Sequence, residues 1–157
     1  MGEKDLTRIS DASGMVDVTD KPDMRRIACA RGAILLSPST IQAVRQLDVQ
    51  KGDVLSTARV AALLAVKDTG RSIPMCHPIP VTAVEVDFEL DLDSISSEVK
   101  VTSVGKTGVE MEALCGVTAA LLTIWDMVKS LEKDPSGNYP NTRIIDVRVV
   151  EKLKLAI

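Results

Sequence analysis

A long apolar stripe in the last third of the chain constrains the fold more than any other feature. Its residues recur at alternating spacings of three and four, which at 3.6 residues per turn places them on one side of a helix; they are Leu114, Val117, Leu121, Ile124, Val128 and Leu131. The opposite side is also mostly small or apolar, where an ordinary surface helix is polar; it carries Glu112, Cys115, Ala119 and Leu122. One side of this helix is therefore expected to lie in a core, and the other to be covered.

The composition is that of one globular domain. The chain has 157 residues, of which 45% are hydrophobic, and a net charge of −3. A chain of this length buries roughly 70% of the surface that its unfolded form exposes. Cys29, Cys76 and Cys115 are odd in number and far apart, so they match neither a disulfide framework nor a pair of zinc ligands. We expect a cytoplasmic protein without a metal site.

Two kinds of partner are disfavoured by the composition. One Phe, one Tyr and one Trp are too few for base stacking, and the negative net charge provides no general attraction to nucleic acid. The first residues lack the apolar core of a signal peptide, and no run of about 18 uncharged apolar residues is present to cross a membrane. We therefore expect neither nucleic acid nor a membrane as a partner.

The predicted elements indicate an α+β fold. We divide the chain into a flexible N-terminal arm, residues 1–14, and one domain, residues 15–157. Strands are predicted at 26–36, 84–90, 99–104 and 144–150, and helices at 40–47, 52–67 and 109–131. Ser37 or Ser39 is predicted to cap the first helix, and Gly70 to end the second.

This order, β, α, α, β, β, α, β, is typical of a ferredoxin-like split βαβ fold with one added helix. Such a fold is an antiparallel sheet with its helices on one face. The other face of the sheet and the outer side of the last helix are semi-apolar, so we expect a partner subunit to cover them.

His77 is the only histidine, and it lies in the proline-rich segment at residues 73–80. The prolines exclude a helix there and favour an extended, rigid path. A lone histidine is more often a hydrogen-bonded structural residue than a catalyst, although the rigid loop favours a function. Cys76 beside it, without a second pair of ligands, is a weak indication of a metal site.

Gly105 to Gly108, with the sequence GKTG, is similar to a phosphate loop because it precedes a helix. A Walker motif would require glycine where the chain has Lys100, so the alternative is a turn in which the glycines have only a steric role. Glu110 and Glu112 follow and diverge on a regular helix. We expect one to support the helix start and the other to lie on the side of the helix that carries Asp126, unless both are ordinary first-turn charges.

Asp126 and Lys129 are three residues apart and are therefore neighbours on the helix surface. As an exposed ion pair they would contribute under about 1 kcal/mol. If another subunit covers them, their pKa values shift and they are suited to acid–base chemistry. Lys51 and a cluster at residues 21–26 add cations that are, singly, ordinary solvated charges.

Taken together, the motifs of this chain resemble those of one family, the cyclic pyranopterin monophosphate synthases of molybdenum cofactor biosynthesis. The likeness spans residues 15–152 and is densest in KGDV, IPMCHP and GKTGVEMEAL. The resemblance implies conversion of 3′,8-cyclo-7,8-dihydro-GTP, made by a radical GTP cyclase, into cyclic pyranopterin monophosphate with release of diphosphate. It implies no required cofactor and leaves open whether Mg²⁺ accompanies the triphosphate. It also implies a homohexamer, a trimer of dimers, with sites at subunit interfaces.

The resemblance also implies roles for individual residues. Asp126 and Lys129 are implied to be the catalytic acid/base pair. The substrate is implied to contact Met75, Cys76, His77, Met111, Glu112, Glu110, Lys51, Lys21, Arg26, Asp17 and Lys152. The chain departs from the family at its end, where Leu153, Lys154 and Leu155 replace a glycine-rich tail.

Two other classes of function remain open from the sequence. The first is a nucleotide-sensing regulatory module, which would bind the substrate and leave it intact, because ferredoxin-like oligomers often bind small ligands at interfaces. The second is a structural oligomeric scaffold in which all of these charges are solvated.

Overall fold

Seven regular elements follow one another in the predicted order. The computed structural model describes residues 14–157, so the predicted N-terminal arm lies outside the described residues except for Gly14. The elements are β1 (Met24–Leu35), α1 (Pro38–Arg45), α2 (Val54–Ser72), β2 (Val81–Leu90), β3 (Ser94–Gly105), α3 (Glu110–Glu132) and β4 (Arg143–Leu155).

The four strands form one antiparallel sheet in the order β2-β3-β1-β4. This is the strand order of the ferredoxin-like split βαβ fold, in which the first and third strands lie at the centre. Ala30 in β1 marks the middle of the sheet, paired with Val99 of β3 on one side and Val149 of β4 on the other. The predicted α+β class is confirmed, with α1 as the added helix.

Small residues let α3 lie close to the sheet and to α2. A Cβ at Gly32 in β1 would lie 2.9 Å from Cδ1 of Leu121 and 3.0 Å from Cγ1 of Val117. A Cβ at Gly116 in α3 would lie 2.9 Å from a methyl of Val99 in β3. Because interiors are packed to crystal-like density, these two glycines set the distance between the layers.

The apolar stripe of α3 forms the centre of the core. By length and composition α3 is apolar enough to span a membrane, but half of its apolar window is buried within the domain. Its fully buried residues pack between the sheet and α2; they include Val117, Leu121, Ile124 and Val128. The predicted core side is confirmed for these four residues; Leu114 is partly buried against the core, and Leu131 is exposed. We therefore interpret α3 as a core helix.

Several predicted boundaries were wrong. Gly70 does not end α2, which continues to Ser72 and stops at Ile73, the residue before Pro74, where a helical backbone is disfavoured. Gly70 instead permits a close approach, since a Cβ there would lie 3.1 Å from Cα of Pro78. Ser37 precedes α1, but its side chain makes no capping bond to that helix. The strands are also longer than predicted, because the sequence pattern marks only their most apolar stretches.

Candidate active site

An open pocket with a volume of about 660 Å³ lies where α3 begins, which is within the size range of small-molecule sites. Four segments meet around it: residues 16–26, the proline-rich segment, the start of α3 and the end of β4. Nine of the residues predicted to contact substrate line this pocket. They are Lys21, Arg26, Met75, Cys76, His77, Glu110, Met111, Glu112 and Lys152.

The pocket is positively charged although the chain as a whole carries a charge of −3. Its lining contains five cationic side chains and two carboxylates: Lys21, Arg26, Lys106, Lys152 and Lys154, against Glu110 and Glu112. Lysines 152 and 154 are two apart on β4 and so point to the same face of the sheet. A concave surface with this charge concentrates anions.

The GKTG turn shapes one side of the pocket. The Arg26 guanidinium donates to the carbonyl oxygens of Gly105 and Lys106, at 3.4 Å and 3.1 Å, and so ties the turn to β1. A Cβ at Gly108 would overlap the carboxylate of Glu110. This contact supports a steric role for Gly108, because the absence of a side chain there leaves the space in which the Glu110 side chain lies.

Glu110 and Glu112 both line the pocket, and Glu112 lies on the side of α3 that carries Asp126, because the 14 residues between them make nearly four full turns. Burial alone would raise the pKa of Glu110, but the bonded ammonium of Lys152, a backbone N–H and the charge of Arg26 together outweigh it, and the pKa is lowered. Glu112 is only 3% exposed, and burial raises its pKa. The pocket thus holds one carboxylate fixed in its charged form and one whose proton is held more tightly than usual.

A loop that we call the strap, residues 14–22, forms another side of the pocket. Nε2 of His77 lies 2.7 Å from the carbonyl oxygen of Val16, to which its N–H donates. Asp17 turns towards Thr19, whose N–H and hydroxyl donate to Oδ1 at 2.9 Å and 2.6 Å and lower the pKa of Asp17. Asp17 therefore shapes the strap and does not line the main pocket.

Lys51, Asp126 and Lys129 form a second group of predicted residues, here called the lysine–aspartate cluster. Nζ of Lys129 lies 2.8 Å from Oδ1 of Asp126, and Nζ of Lys51 lies 2.7 Å from Oδ2. The hydrogen bonds from Lys129 and then Lys51 lower the pKa of Asp126 to about 2. The same contact raises the pKa of Lys129. The side chains of Asp126 and Lys129 are 56% and 44% exposed, so within one chain this cluster is not covered.

The cluster and the pocket lie at opposite ends of α3. Glu112 and Asp126 are 14 residues apart in this helix, and a rise of 1.5 Å per residue separates them by about 21 Å along its axis. One chain therefore brings nine of the eleven predicted substrate residues together, but Lys51 and the predicted acid/base pair lie at the other end of α3.

Sequence reasoning missed three residues in or beside these groups. Lys154 lines the pocket beside Lys152, and the two-residue period of a strand could have indicated that both lysines lie on the same face of β4. Lys106 lines the pocket within the GKTG turn, where only the motif as a whole was considered. Tyr139 lies edge-on to Trp125, with ring centroids 5.6 Å apart, and after Asp126 it makes a small contribution to the raised pKa of Lys129. No sequence pattern links Tyr139 to the cluster, because the contact is formed by folding.

The fold and the pocket define a class: an α+β protein of ferredoxin-like topology with a cationic site for a small anionic ligand. The family model described as the MoaC family matches residues 15–154. The chain therefore belongs to the MoaC family, and the family resemblance of its motifs is confirmed.

Similar proteins cover nearly the whole chain. A protein of Methanosarcina acetivorans called "Probable cyclic pyranopterin monophosphate synthase" is 57% identical over 97% of this chain and 97% of its own length. Proteins with the same name from Methanoregula boonei and Archaeoglobus fulgidus are 60% and 56% identical, each over 96% of this chain and 97% of their own. The similarity to these relatives therefore extends over nearly the whole length of each protein.

Proposed function

We propose that this chain acts in molybdenum cofactor biosynthesis as a cyclic pyranopterin monophosphate synthase, which converts 3′,8-cyclo-7,8-dihydro-GTP into cyclic pyranopterin monophosphate and diphosphate. Its place in the MoaC family carries this proposal. The cationic pocket supports it, because the substrate has a triphosphate and a ring of nucleotide size.

The pocket residues divide by chemistry into two parts. Lys21, Arg26 and Lys154 supply positive charge for the triphosphate and for the diphosphate that leaves. Glu112 offers a buried carboxyl group to ring N–H donors, and a hydrogen bond to this group is strengthened by its low exposure. Met75 and Met111, both exposed to the pocket, provide flexible apolar surface for the ring.

The lysine–aspartate cluster supplies the acid–base chemistry in this proposal. With a pKa of about 2, Asp126 is ionised at neutral pH and holds no proton to give. Asp126 raises the pKa of Lys129, which is therefore protonated at neutral pH; we assign Lys129 as the proton donor and Asp126 as the group that orients its ammonium. Burial between two copies of the chain lowers that pKa towards the working pH, which makes Lys129 a stronger acid. Lys51 binds the second oxygen of Asp126 and fixes the carboxylate between two ammonium groups. Opening and rebuilding the ring system both require such proton transfers.

We place the complete site between two copies of the chain. A two-fold axis near the middle of α3 would bring residue 112 of one copy towards residue 126 of the other, because antiparallel helices exchange ends. Between these ends, α2 and α3 expose apolar side chains that a second copy would cover: Val60, Leu64 and Leu122, at 55%, 56% and 54% exposure. Three such dimers would form the homohexamer implied by the family resemblance.

The remaining parts of the proposal concern supply and location. The substrate comes from a radical GTP cyclase, and the soluble enzyme works in the cytoplasm. No resident cofactor is required, and Mg²⁺ enters only with the triphosphate. Excess EDTA removes Mg²⁺ from the triphosphate, so it is expected to lower activity only as far as it weakens substrate binding. A complete loss of activity that only a transition metal restores would contradict the absence of a resident cofactor.

The testing experiment is incubation of the purified protein with the cyclised dihydro-GTP, with diphosphate and pterin product quantified by mass spectrometry. Wild type is expected to form both products, and Lys129→Ala to lose at least about a hundredfold in rate, as for loss of a general acid. Lys100→Ala is a matched control, because Lys100 lies in β3 and faces away from the helices, where it pairs with Glu85.

The nucleotide-sensing module is the alternative function. It predicts that a folded oligomer binds the cyclised dihydro-GTP and releases it unchanged. Recovery of intact substrate after binding, measured by calorimetry and chromatography on the same sample, would favour the sensor over the synthase.

A further inference from the structure

We propose that Lys106 is a positioning residue that holds the strap against the pocket, so that the strap forms one wall of the site before substrate arrives. This inference rests on the proposed function for its effect on the reaction. Its structural part concerns the strap alone. The family resemblance of the sequence assigned no role to Lys106.

The first support is the bonding of the Lys106 ammonium. Nζ donates to the carbonyl oxygen of Thr19 at 2.6 Å and to that of Lys21 at 2.9 Å. Both acceptors belong to the backbone of the strap, in a segment with no regular secondary structure. An ammonium has three donors, so one remains for a ligand. Lys106 therefore spends most of its hydrogen-bonding capacity on holding the chain.

The second support is that Lys106 itself is held in place. Its carbonyl oxygen accepts from Nη2 of Arg26, and that guanidinium also reaches the carbonyl of Gly105. Arg26 lies in β1, in the central part of the sheet. The path from sheet to strap thus runs through Arg26, the GKTG turn and the side chain of Lys106, and each link is a hydrogen bond to a backbone carbonyl.

The third support is that the strap has local structure of its own between its two anchors. The N–H of Lys21 donates to the carbonyl of Val18 at 3.0 Å, and Asp17 binds Thr19, so the strap contains two local turns. His77 anchors its beginning through Val16, as Lys106 anchors its end. Held in this way, the strap contributes Val16, Val18 and Lys21 to the pocket wall.

Without the Lys106 anchor, the strap is expected to be loose in the free protein and to become ordered only when substrate binds. A site that must be ordered by its ligand binds it more weakly, since the fraction of competent molecules falls. For Lys106→Met we expect KM to rise about tenfold or more, with kcat changed by less than about threefold. Lys106→Arg is expected to restore most of the affinity, because the guanidinium also carries several donors.

A loss of affinity alone would not separate positioning from a direct phosphate contact, so the deciding measurement is made without ligand. Amide hydrogen exchange of residues 14–22 in the free protein is expected to be about tenfold faster in Lys106→Met than in wild type. Lys154→Met is the matched control, because it removes a pocket cation that makes no hydrogen bond to the strap. It is expected to weaken substrate binding and leave strap exchange as in wild type.

Two results would overturn the inference: strap exchange in Lys106→Met equal to wild type, or the same acceleration in Lys154→Met. Lys106→Arg provides the folded comparison should Lys106→Met be unstable, and it is expected to keep the wild-type exchange rate. Failure of the proposed function would look different. The strap would then open in Lys106→Met while wild type shows no turnover.

Discussion

Glu132, the last residue of α3, is predicted to contribute measurably to stability although it lies outside both groups of site residues. Its Oε1 accepts from the N–H and the hydroxyl of Ser37, at 2.9 Å and 2.7 Å, and its Oε2 accepts from the hydroxyl of Thr142 at 2.7 Å. One carboxylate thus joins the end of α3 to the start of α1 and to the segment before β4. The perturbation is Glu132→Gln, which keeps the shape and removes the charge.

The magnitude follows from the kind of bond that is lost. Hydrogen bonds to a charged group contribute about 1.5–3 kcal/mol each and neutral ones about 0.5–1.5 kcal/mol. The three bonds share one carboxylate and are not additive, and the site is half-buried, so we expect a loss of about 1–2 kcal/mol for Glu132→Gln. At 2–4 °C per kcal/mol for a chain of this size, Tm should fall by roughly 2–8 °C.

The pH dependence gives a second signature. Burial would raise the pKa of Glu132, but the hydrogen bonds from Thr40, Thr142 and Ser37 outweigh it, and the pKa is lowered from 4.5. Because the folded pKa is lowered, the contribution is present above pH 4.5 and is lost as the pH falls through the folded pKa. The difference in Tm between wild type and Glu132→Gln should therefore be full at pH 7 and shrink in acid.

The assay is thermal unfolding followed by circular dichroism at one fixed protein concentration, since an oligomer's Tm depends on it. Glu85→Gln is the control, because Glu85 is an exposed partner of Lys100 at 3.7 Å and should change stability by less than about 0.5 kcal/mol. A Tm for Glu132→Gln equal to that of the control, or a difference that stays constant down to pH 3, would show that the charged carboxylate of Glu132 does not stabilise the fold.

Three further predictions concern the site and the core. Asp126→Asn removes the negative charge that, through its hydrogen bond, raises the pKa of Lys129, so the alkaline limb of the kcat–pH profile should move to lower pH; an unmoved limb would argue against Lys129 as the acid. Gly108→Ala should lower kcat/KM at nearly unchanged Tm, because the new methyl displaces only the flexible end of Glu110; equal kinetics would show that this carboxylate is dispensable. Gly116→Ala should lower stability by about 1–3 kcal/mol in denaturant unfolding, since stiff, buried valines surround the site, and an unchanged midpoint would contradict this packing.

The parts of the fold that were predicted correctly are those with a local pattern. The stripe of α3 has the period of a helix over more than 20 residues, and the alternation in β2 has the period of a strand, so both elements could be read from neighbours in sequence. The element order then limited the topology to one common arrangement. The nine pocket residues were named by their motifs, and folding brought them together.

The parts that were missed depend on contacts between distant residues. Gly70 has the usual mark of a helix end, but its role is to admit Pro78 from another segment. Ser37 is a residue type typical of helix N-caps, but its hydroxyl donates instead to the carboxylate of Glu132, 95 positions away. Lys106 looked like part of a phosphate loop, whereas its ammonium binds the backbone of the strap. Each of these partners lies in another segment of the chain, so no local sequence pattern indicates it.

The pocket and the lysine–aspartate cluster are too far apart in one chain to act on one substrate, so the proposed function requires that each site be built from two chains. Asp126→Ala and Arg26→Ala each remove one half of the site, and each homogeneous variant is expected to be nearly inactive.

The most direct test is to unfold, mix and refold these two variants in equal amounts and to measure pyranopterin formation. If the halves come from different chains, random assembly pairs an intact pocket with an intact cluster in about a quarter of the sites, and the mixture should recover about 25% of wild-type activity. If one chain carries the whole site, every site in the mixture retains a defect. Activity no higher than that of the separate variants, in a mixture shown by mass spectrometry to contain mixed oligomers, would contradict the shared site.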